Sequence, residues 1–204
     1  MIALGWTTGG AVPPAPLRVL GDGPVGVLAA DGDSGGTARA RLALQVAASR
    51  VLEALLPLAP RQSIPAAAAV DRALAEPEEI LAQLDALRGR GQLTAGFVAP
   101  ACQAGEPTPG DGWLRRRAAE RSRIDRAGEA ALALVDAAGI GVERHVARAA
   151  PGGFALDLLL RRDAIDAAMD RLSDHAARAT PARLSHWRMT LAGPWPAYGF
   201  AGPA

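Results

Sequence analysis

Apolar residues fall into short continuous runs near the start of the chain and into helix-spaced or alternating sets further on. Residues 2–6, 17–20 and 25–30 are apolar runs separated by Gly and Pro, which predicts three strands. A Gly- and Asp-rich stretch follows, and a helix is expected from about Thr37. Leu44, Ala48, Val51, Leu52 and Leu55 recur on one helical face there, and Pro57 and Pro60 stop it. Ser63 and Pro65 open a short Ala-rich turn of helix. Pro77 opens the next helix: proline loses nothing at a first helical position, and Glu78 and Glu79 suit the positive end of the helix dipole. Ile80, Leu84 and Leu87 line its face, and Gly89 fits a left-handed terminator.

Residues 92–98 alternate, with Leu93, Ala95 and Phe97 on one side. A Pro- and Gly-rich loop at 100–110 precedes a long helix that Asp111 can cap and that ends at Gly139. Residues 142–150 and 154–160 flank Pro151-Gly152-Gly153, a hairpin signal. Phe154, Leu156, Leu158 and Leu160 share one face of the second strand, and Asp157 points the other way. Asp163 is expected to cap a helix striped by Ile165, Met169, Leu172 and Ala176, which Thr180-Pro181 ends. A last strand carries Trp187, Met189 and Leu191 on one side.

From Gln92 onward the order is strand, helix, strand, strand, helix, strand. This is the βαββαβ order of a ferredoxin-like domain, with two helices on one face of an antiparallel sheet. The expected fold class is α+β with two domains. Residues 1–90 form an N-terminal α+β domain, and residues 91–204 form a ferredoxin-like domain with an aromatic and proline-rich tail. The loop at 100–110 is the alternative boundary.

Composition narrows the class. Half of the 204 residues are apolar and 21% are charged, as in a globular chain with a substantial core. A net charge of +1 gives no reason to expect attraction to nucleic acid or to a membrane surface. All 22 basic residues are Arg, which with the many Ala reads as coding bias. The single Cys, Cys102, leaves no internal disulfide and suits a reducing compartment. Arg18 is the first charge after Met1, and Gly9-Gly10 and Pro13-Pro14 break the stretch between. Neither a secretion signal nor a membrane span is expected, and the location reads as cytoplasmic.

The chemistry-bearing residues do not assemble a reactive site. Arg115, Arg116, Arg117, Arg121, Arg123 and Arg126 lie among Glu120, Asp125 and Glu129, and Arg116–Glu120 and Arg121–Asp125 have the spacing of pairs along a helix. His145, His175 and His186 show no zinc-binding spacing. Cys102 has no basic neighbour to activate it. The Gly-rich stretches match no phosphate loop, and Asp31 and Asp33 begin no EF-hand. No catalytic residue, cofactor or metal is expected.

The tail stands apart. Of four Trp, three Phe and one Tyr, three fall within the last twelve residues: Trp195, Tyr198 and Phe200. Pro194 and Pro196 fix φ and remove two donors, so the segment is expected to be extended and polyproline-like. Rings of this size need a docking surface, since each buries ~150–250 Å² when covered. Two readings stand open. The rings close over their own domain, the usual role of aromatics, or they grip a partner. Pro194, Trp195, Pro196, Tyr198 and Phe200 are the candidate partner contacts.

Gly193-Pro194-Trp195-Pro196-x-Tyr198-x-Phe200 at the end of a strand resembles the C-terminal signature of the gas vesicle protein L/F family (GvpL/GvpF). Asp111-Gly112-Trp113-Leu114 before an Arg-rich helix is similar to the opening of that family's second domain. The run Phe154-Ala155-Leu156-Asp157-Leu158-Leu159-Leu160 is similar to its strand before the last helix. Val51-Leu52-Glu53-Ala54-Leu55 and the helix at 76–87 are similar to its first half. The likeness covers most of the chain, with the tail its one specific motif. It implies two α+β domains, the second ferredoxin-like. It also implies an accessory structural or assembly role in gas vesicle biogenesis, with the hydrophobic gas vesicle shell protein and other accessory gas vesicle proteins as partners. The chain departs from the family pattern at 59–68, at its opening strand, and at Ala197 and Gly199. The alternative is a small ferredoxin-like enzyme or ligand-binding domain built on His145, His186 and Asp157. A regulatory partner-binding module unrelated to gas vesicles is the third option.

Overall fold

The computed structural model describes residues 1–99 and 111–201. Cys102 and the expected loop at 100–110 lie outside the described residues, as do the side chains that would make the Asp111 cap and the Arg116–Glu120 pair. The chain is α+β, with two sheets paired antiparallel and helices between their strands. It divides into two compact units. The first holds Met1–Gln92, Arg161–Asp163 and Pro194–Ala204, and the second holds Leu93–Leu160 and Ala164–Gly193.

In the first unit β1 (Ile2–Thr8) lies between β3 (Val25–Ala30) and β4 (Leu56–Pro57), with β2 (Arg18–Leu20) outside β3 and β5 (Ile64–Pro65) also on β1. Every residue of β3 is buried, as is most of β1, which is why both read as unbroken apolar runs. A bulge between Ala3 and Gly5 shifts the register of β1 against β3 and re-aims the residues after it. Leu4 joins Leu28, Ala48 and Leu52 in one core cluster. Trp6, past the bulge, donates its indole N–H to the Ala69 carbonyl at 3.2 Å, with the Arg72 guanidinium 5.3 Å over its ring.

Four helices belong to this unit: α1 (Gly32–Gly35), α2 (Ala38–Val51), α3 (Ala66–Ala75) and α4 (Pro77–Leu87). Thr37 caps α2 by accepting from the Ala40 N–H at 3.1 Å. The apolar stripe expected on α2 is corrected by the structure. Its buried face is Arg41, Gln45, Ala48 and Ser49, whereas Val51 is 61% exposed. The helix stops at Val51, before either proline, because Leu52 turns extended, and Leu55 reaches the core from the segment beyond. The short turn expected after Pro65 is a helix of 10 residues. Pro77 does open α4, whose buried residues are Ile80, Leu84 and Leu87, and Gly89 has φ +66°.

The second sheet has the order β7-β8-β6-β9, from β6 (Arg90–Val98), β7 (Arg144–Ala150), β8 (Gly153–Arg161) and β9 (Arg188–Trp195). The long α5 (Asp111–Ala137) follows β6, and α6 (Ile165–Ala179) follows β8. Leu93, Ala95 and Phe97 of β6 and Phe154, Leu156, Leu158 and Leu160 of β8 share one core. Ala127, Ala131, Leu134 and Val135 of α5 and Ile165, Ala168 and Leu172 of α6 complete it. Phe97 and Phe154 stack at 4.9 Å, and Trp187 meets Phe154 edge-on at 5.4 Å. The Arg123 guanidinium lies 5.2 Å over the Trp187 ring while its Nε sits 3.4 Å from Glu120, so this member of the arginine cluster covers the core.

Asp163 does not cap α6 as expected. A 3-10 turn, Arg162–Ala164, opens the helix, Ala164 is the cap position, and Asp163 is held by Arg161 instead. The hairpin appears where its signal lies, with Ala150 opposite Gly153 across Pro151-Gly152 and Gly152 at φ +71°. Gly153 is required by close approach, since a Cβ there would stand 1.9 Å from the Phe97 carbonyl oxygen. Gly153→Ala is therefore expected to push β8 from β6 and cost at least ~1–3 kcal/mol, read by chemical denaturation.

Candidate functional site

The candidate site is built on α2 and receives the tail, both in the first unit. Gln45 is 1% exposed and makes three polar contacts. Its Nε2 donates to the Leu4 carbonyl at 2.6 Å and to the Leu58 carbonyl at 2.7 Å. Two main-chain acceptors demand the amide nitrogen, which leaves Oε1 to accept, and the Tyr198 hydroxyl donates to it at 2.6 Å. The Leu4 carbonyl also accepts from the Leu58 N–H at 2.9 Å, so both its lone pairs are used. One carboxamide thus joins helix, central strand, the segment after β4 and tail.

Arg41, one turn earlier, is buried for a similar reason. Its Nη1 donates to the Gly35 carbonyl at 2.7 Å and its Nε to the Pro60 carbonyl at 2.8 Å, satisfying acceptors at the end of α1 and in the loop between β4 and β5.

The tail makes a second polar contact through the Gly199 N–H, which donates to Gln92 Oε1 at 2.9 Å. Beyond Trp195 it does not stay extended as expected. It closes into a 3-10 turn, Tyr198–Phe200, with the Phe200 N–H on the Ala197 carbonyl at 3.0 Å. The turn swings Phe200 inward, where it is 5% exposed, and Ala197 and Pro196 are buried with it. Among the candidate contacts, Tyr198 bonds to Gln45 within the first unit, Pro196 and Phe200 are buried, and Pro194 and Trp195 are half-buried. The tail groups with this unit, where its bonds to Gln45 and Gln92 are made, whereas the sequence order had attached it to residues 91–204.

Burial pushes the Tyr198 phenol well above its usual range, because a phenolate would lose its hydration there. It would also face the Oε1 acceptor with no proton to donate.

The residues of the alternative reading do not converge. His145 pairs with Leu158 in the β7–β8 register, which puts it on the opposite face of the sheet from Asp157. His186 precedes β9, at the edge opposite β7, and three strand spacings of ~4.8 Å separate those edges. Asp157 is 2% exposed and fully engaged: Arg148 Nε lies 2.7 Å from Oδ2, and the Thr94 hydroxyl donates to Oδ1 at 2.8 Å. Among the described residues no three His, Cys, Asp or Glu side chains gather as a metal site. No helix among them is long and apolar enough to cross a membrane.

Two solved structures share the architecture over the whole chain. The crystal structure of the gas vesicle protein GvpF from Anabaena sp. PCC7120 matches with a TM-score of 0.70 at 10% identity, covering 100% of this chain and 96% of that one. The crystal structure of the gas vesicle protein GvpF from Microcystis aeruginosa matches with a TM-score of 0.71 at 10% identity, covering 99% of each. The chain has the fold of GvpF. No protein-family model matches the sequence, and no curated protein matches it either. At such low identity the GvpF likeness is carried by arrangement, with both sheets and the tail included in the matched length.

Gln45 escaped the sequence reading because Arg41, Gln45 and Ser49 repeat every four residues and look like the wet face of a helix. The only available hint was the absence of charge at Gln45 and Ser49 in an otherwise Arg-bearing helix.

Tyr198 is the chain's one tyrosine, so phenolate absorbance reports it alone. Its native midpoint is expected above the ordinary ~10, returning to that value in denaturant. The raised folded value means the contribution to stability is intact below about pH 10 and is lost as pH climbs through the folded midpoint. Tyr198→Phe is expected to remove that alkaline loss and to cost about 1 kcal/mol at neutral pH. Gln45→Leu takes the partner from the Leu58 carbonyl and the Tyr198 hydroxyl and one of two from the Leu4 carbonyl, and is expected to cost at least about 2 kcal/mol, read by denaturant titration.

Proposed function

We propose that the chain is a member of the GvpL/GvpF family and acts as an accessory structural or assembly protein of gas vesicles. The observation that carries this is the end-to-end agreement with GvpF at TM-scores of 0.70 and 0.71, reached at 10% identity. The Gly-Pro-Trp-Pro-x-Tyr-x-Phe tail supports it independently, as a motif of the family that the sequence resembles. In this reading residues 1–90 are an α+β domain and residues 91–204 hold a ferredoxin-like one, with the tail from Pro194 grouped with the first unit. The order β7-β8-β6-β9 supports the latter, with the first and third strands central and both helices adding to one core.

The proposed partners are the hydrophobic gas vesicle shell protein and other accessory gas vesicle proteins, met at the vesicle. A non-catalytic adaptor fits the absence of convergence among His145, His186 and Asp157. Pro194, Trp195, Pro196, Tyr198 and Phe200 remain the proposed partner segment, with roles divided between them. Pro196, Tyr198 and Phe200 set its shape from beneath, and Pro194 and Trp195, half-buried, offer the apolar surface.

The test is capture of shell protein by the full-length chain from cells that express it. Trp195→Ala is expected to weaken capture with little change in melting temperature, whereas Phe200→Ala is expected to lower the melting temperature, at the stability cost usual for a buried ring, ~3–5 kcal/mol. Capture of no gas vesicle protein at all would remove the proposal.

A further inference from the structure

β7 ends the order β7-β8-β6-β9, so its outer edge carries no strand among the described residues. Its residues are exposed almost throughout, whereas those of its neighbour β8 are buried up to Arg161. The hairpin turn decides which main-chain groups face outward. Ala150 lies directly opposite Gly153 across a two-residue turn, so that pair exchanges hydrogen bonds and the pattern alternates from there. Ala150, Arg148, Val146 and Arg144 direct their N–H and C=O groups to β8. Ala149, Ala147 and His145 present theirs to the outside, and none of these three has a further hydrogen-bond partner among the described residues.

A basic side chain on an edge strand normally discourages pairing. Here Arg148 is drawn back from the edge, with its Nε 2.7 Å from Asp157 Oδ2 and its Nη2 3.4 Å from Oδ1. That pairing runs diagonally across the ladder, since Arg148 faces Ala155 and Asp157 faces Val146. The buried carboxylate therefore neutralises the arginine nearest the middle of the edge, and leaves Arg144 at its end.

We propose that β7 pairs antiparallel with β7 of a second copy of this chain, about a two-fold axis through Ala147. In that register Ala147 faces itself, His145 faces Ala149, Arg144 faces Ala150 and Val146 faces Arg148. Alanine stands opposite three of the positions, and no two like charges are directly opposed. The outward N–H and C=O groups of His145, Ala147 and Ala149 all find partners, roughly six hydrogen bonds between the chains. A shift by one residue puts the outward groups out of phase. A shift by two brings His145 opposite Pro151, which has no N–H, in one direction, and Arg144 opposite Arg148 in the other. The contact is isologous and closes at two copies, joining two four-stranded sheets into one.

The test uses full-length chain carrying Cys102→Ser, with single cysteines at the strand. Directly opposed residues of a hydrogen-bonded pair have Cα atoms ~5.5 Å apart, within disulfide range. Ala147→Cys is expected to cross-link under mild oxidation, and Ala149→Cys, which faces His145 of the other copy, is not. Sedimentation of the unmodified chain is expected to show a concentration-dependent dimer. Ala147→Pro is expected to weaken it at least ~tenfold while keeping the native circular dichroism, because that N–H is not used by β8. A monomer at every concentration, equal cross-linking from both cysteines, or a dimer indifferent to a folded Ala147→Pro would overturn the proposal. Should Ala147→Pro not fold, the two cysteine variants decide it alone.

Discussion

A single buried carboxamide organises the first unit. Gln45 has two N–H donors and an acceptor to satisfy, and its position 1% exposed leaves no water to help. The Leu4 and Leu58 carbonyls take the donors and the Tyr198 hydroxyl fills the acceptor. Each partner comes from a different part of the chain, so helix, central strand, following segment and tail must all be in place together. Losing any one leaves a buried polar group unpaired, which costs far more than the bond itself contributes. The 3-10 turn at Tyr198–Phe200 follows from this, because it aims the phenol at Gln45 and the Phe200 ring inward within three residues.

The second unit solves a related problem with a charge. Asp157 is the one acidic residue in a buried strand, and burial without a partner would force it to neutralise or to unfold the strand. Arg148 and Thr94, from the strands on either side, satisfy both oxygens, which also pins the register of three strands. The opposite face of β8 carries the apolar load, where Phe97, Phe154 and Trp187 form a run of ring contacts roofed by Arg123. An arginine cluster that suggests a nucleic-acid face in one dimension thus supplies, through Arg123, a lid for an aromatic core.

These two devices frame the functional reading. A tail whose phenol and terminal ring are spent internally is an anchored element, and its half-buried Pro194 and Trp195 are presented on a rigid support. That arrangement suits recognition of an apolar partner better than a free aromatic tail, because little conformational entropy remains to be lost on contact.

Local rules were sufficient for much of the architecture. The β6-to-β9 order, the Pro77 helix with its Ile80, Leu84 and Leu87 face, the Gly89 terminator and the Pro151-Gly152 turn all depend on neighbours within a few residues, and sequence alone determined them. What it could not determine was the burial of Arg41, Gln45 and Asp157. A polar residue is indistinguishable from a solvated one until its partner arrives, and those partners lie as far as 153 positions away for Gln45 and Tyr198. The α2 stripe misled at its end: Val51 obeys the helical period yet is exposed, and Leu52 enters the core only because the chain turns extended there. The tail's composition announced that its rings need a docking surface, and only the tertiary structure decided that the Tyr198 and Phe200 rings find theirs within the chain while Trp195 stays half-buried.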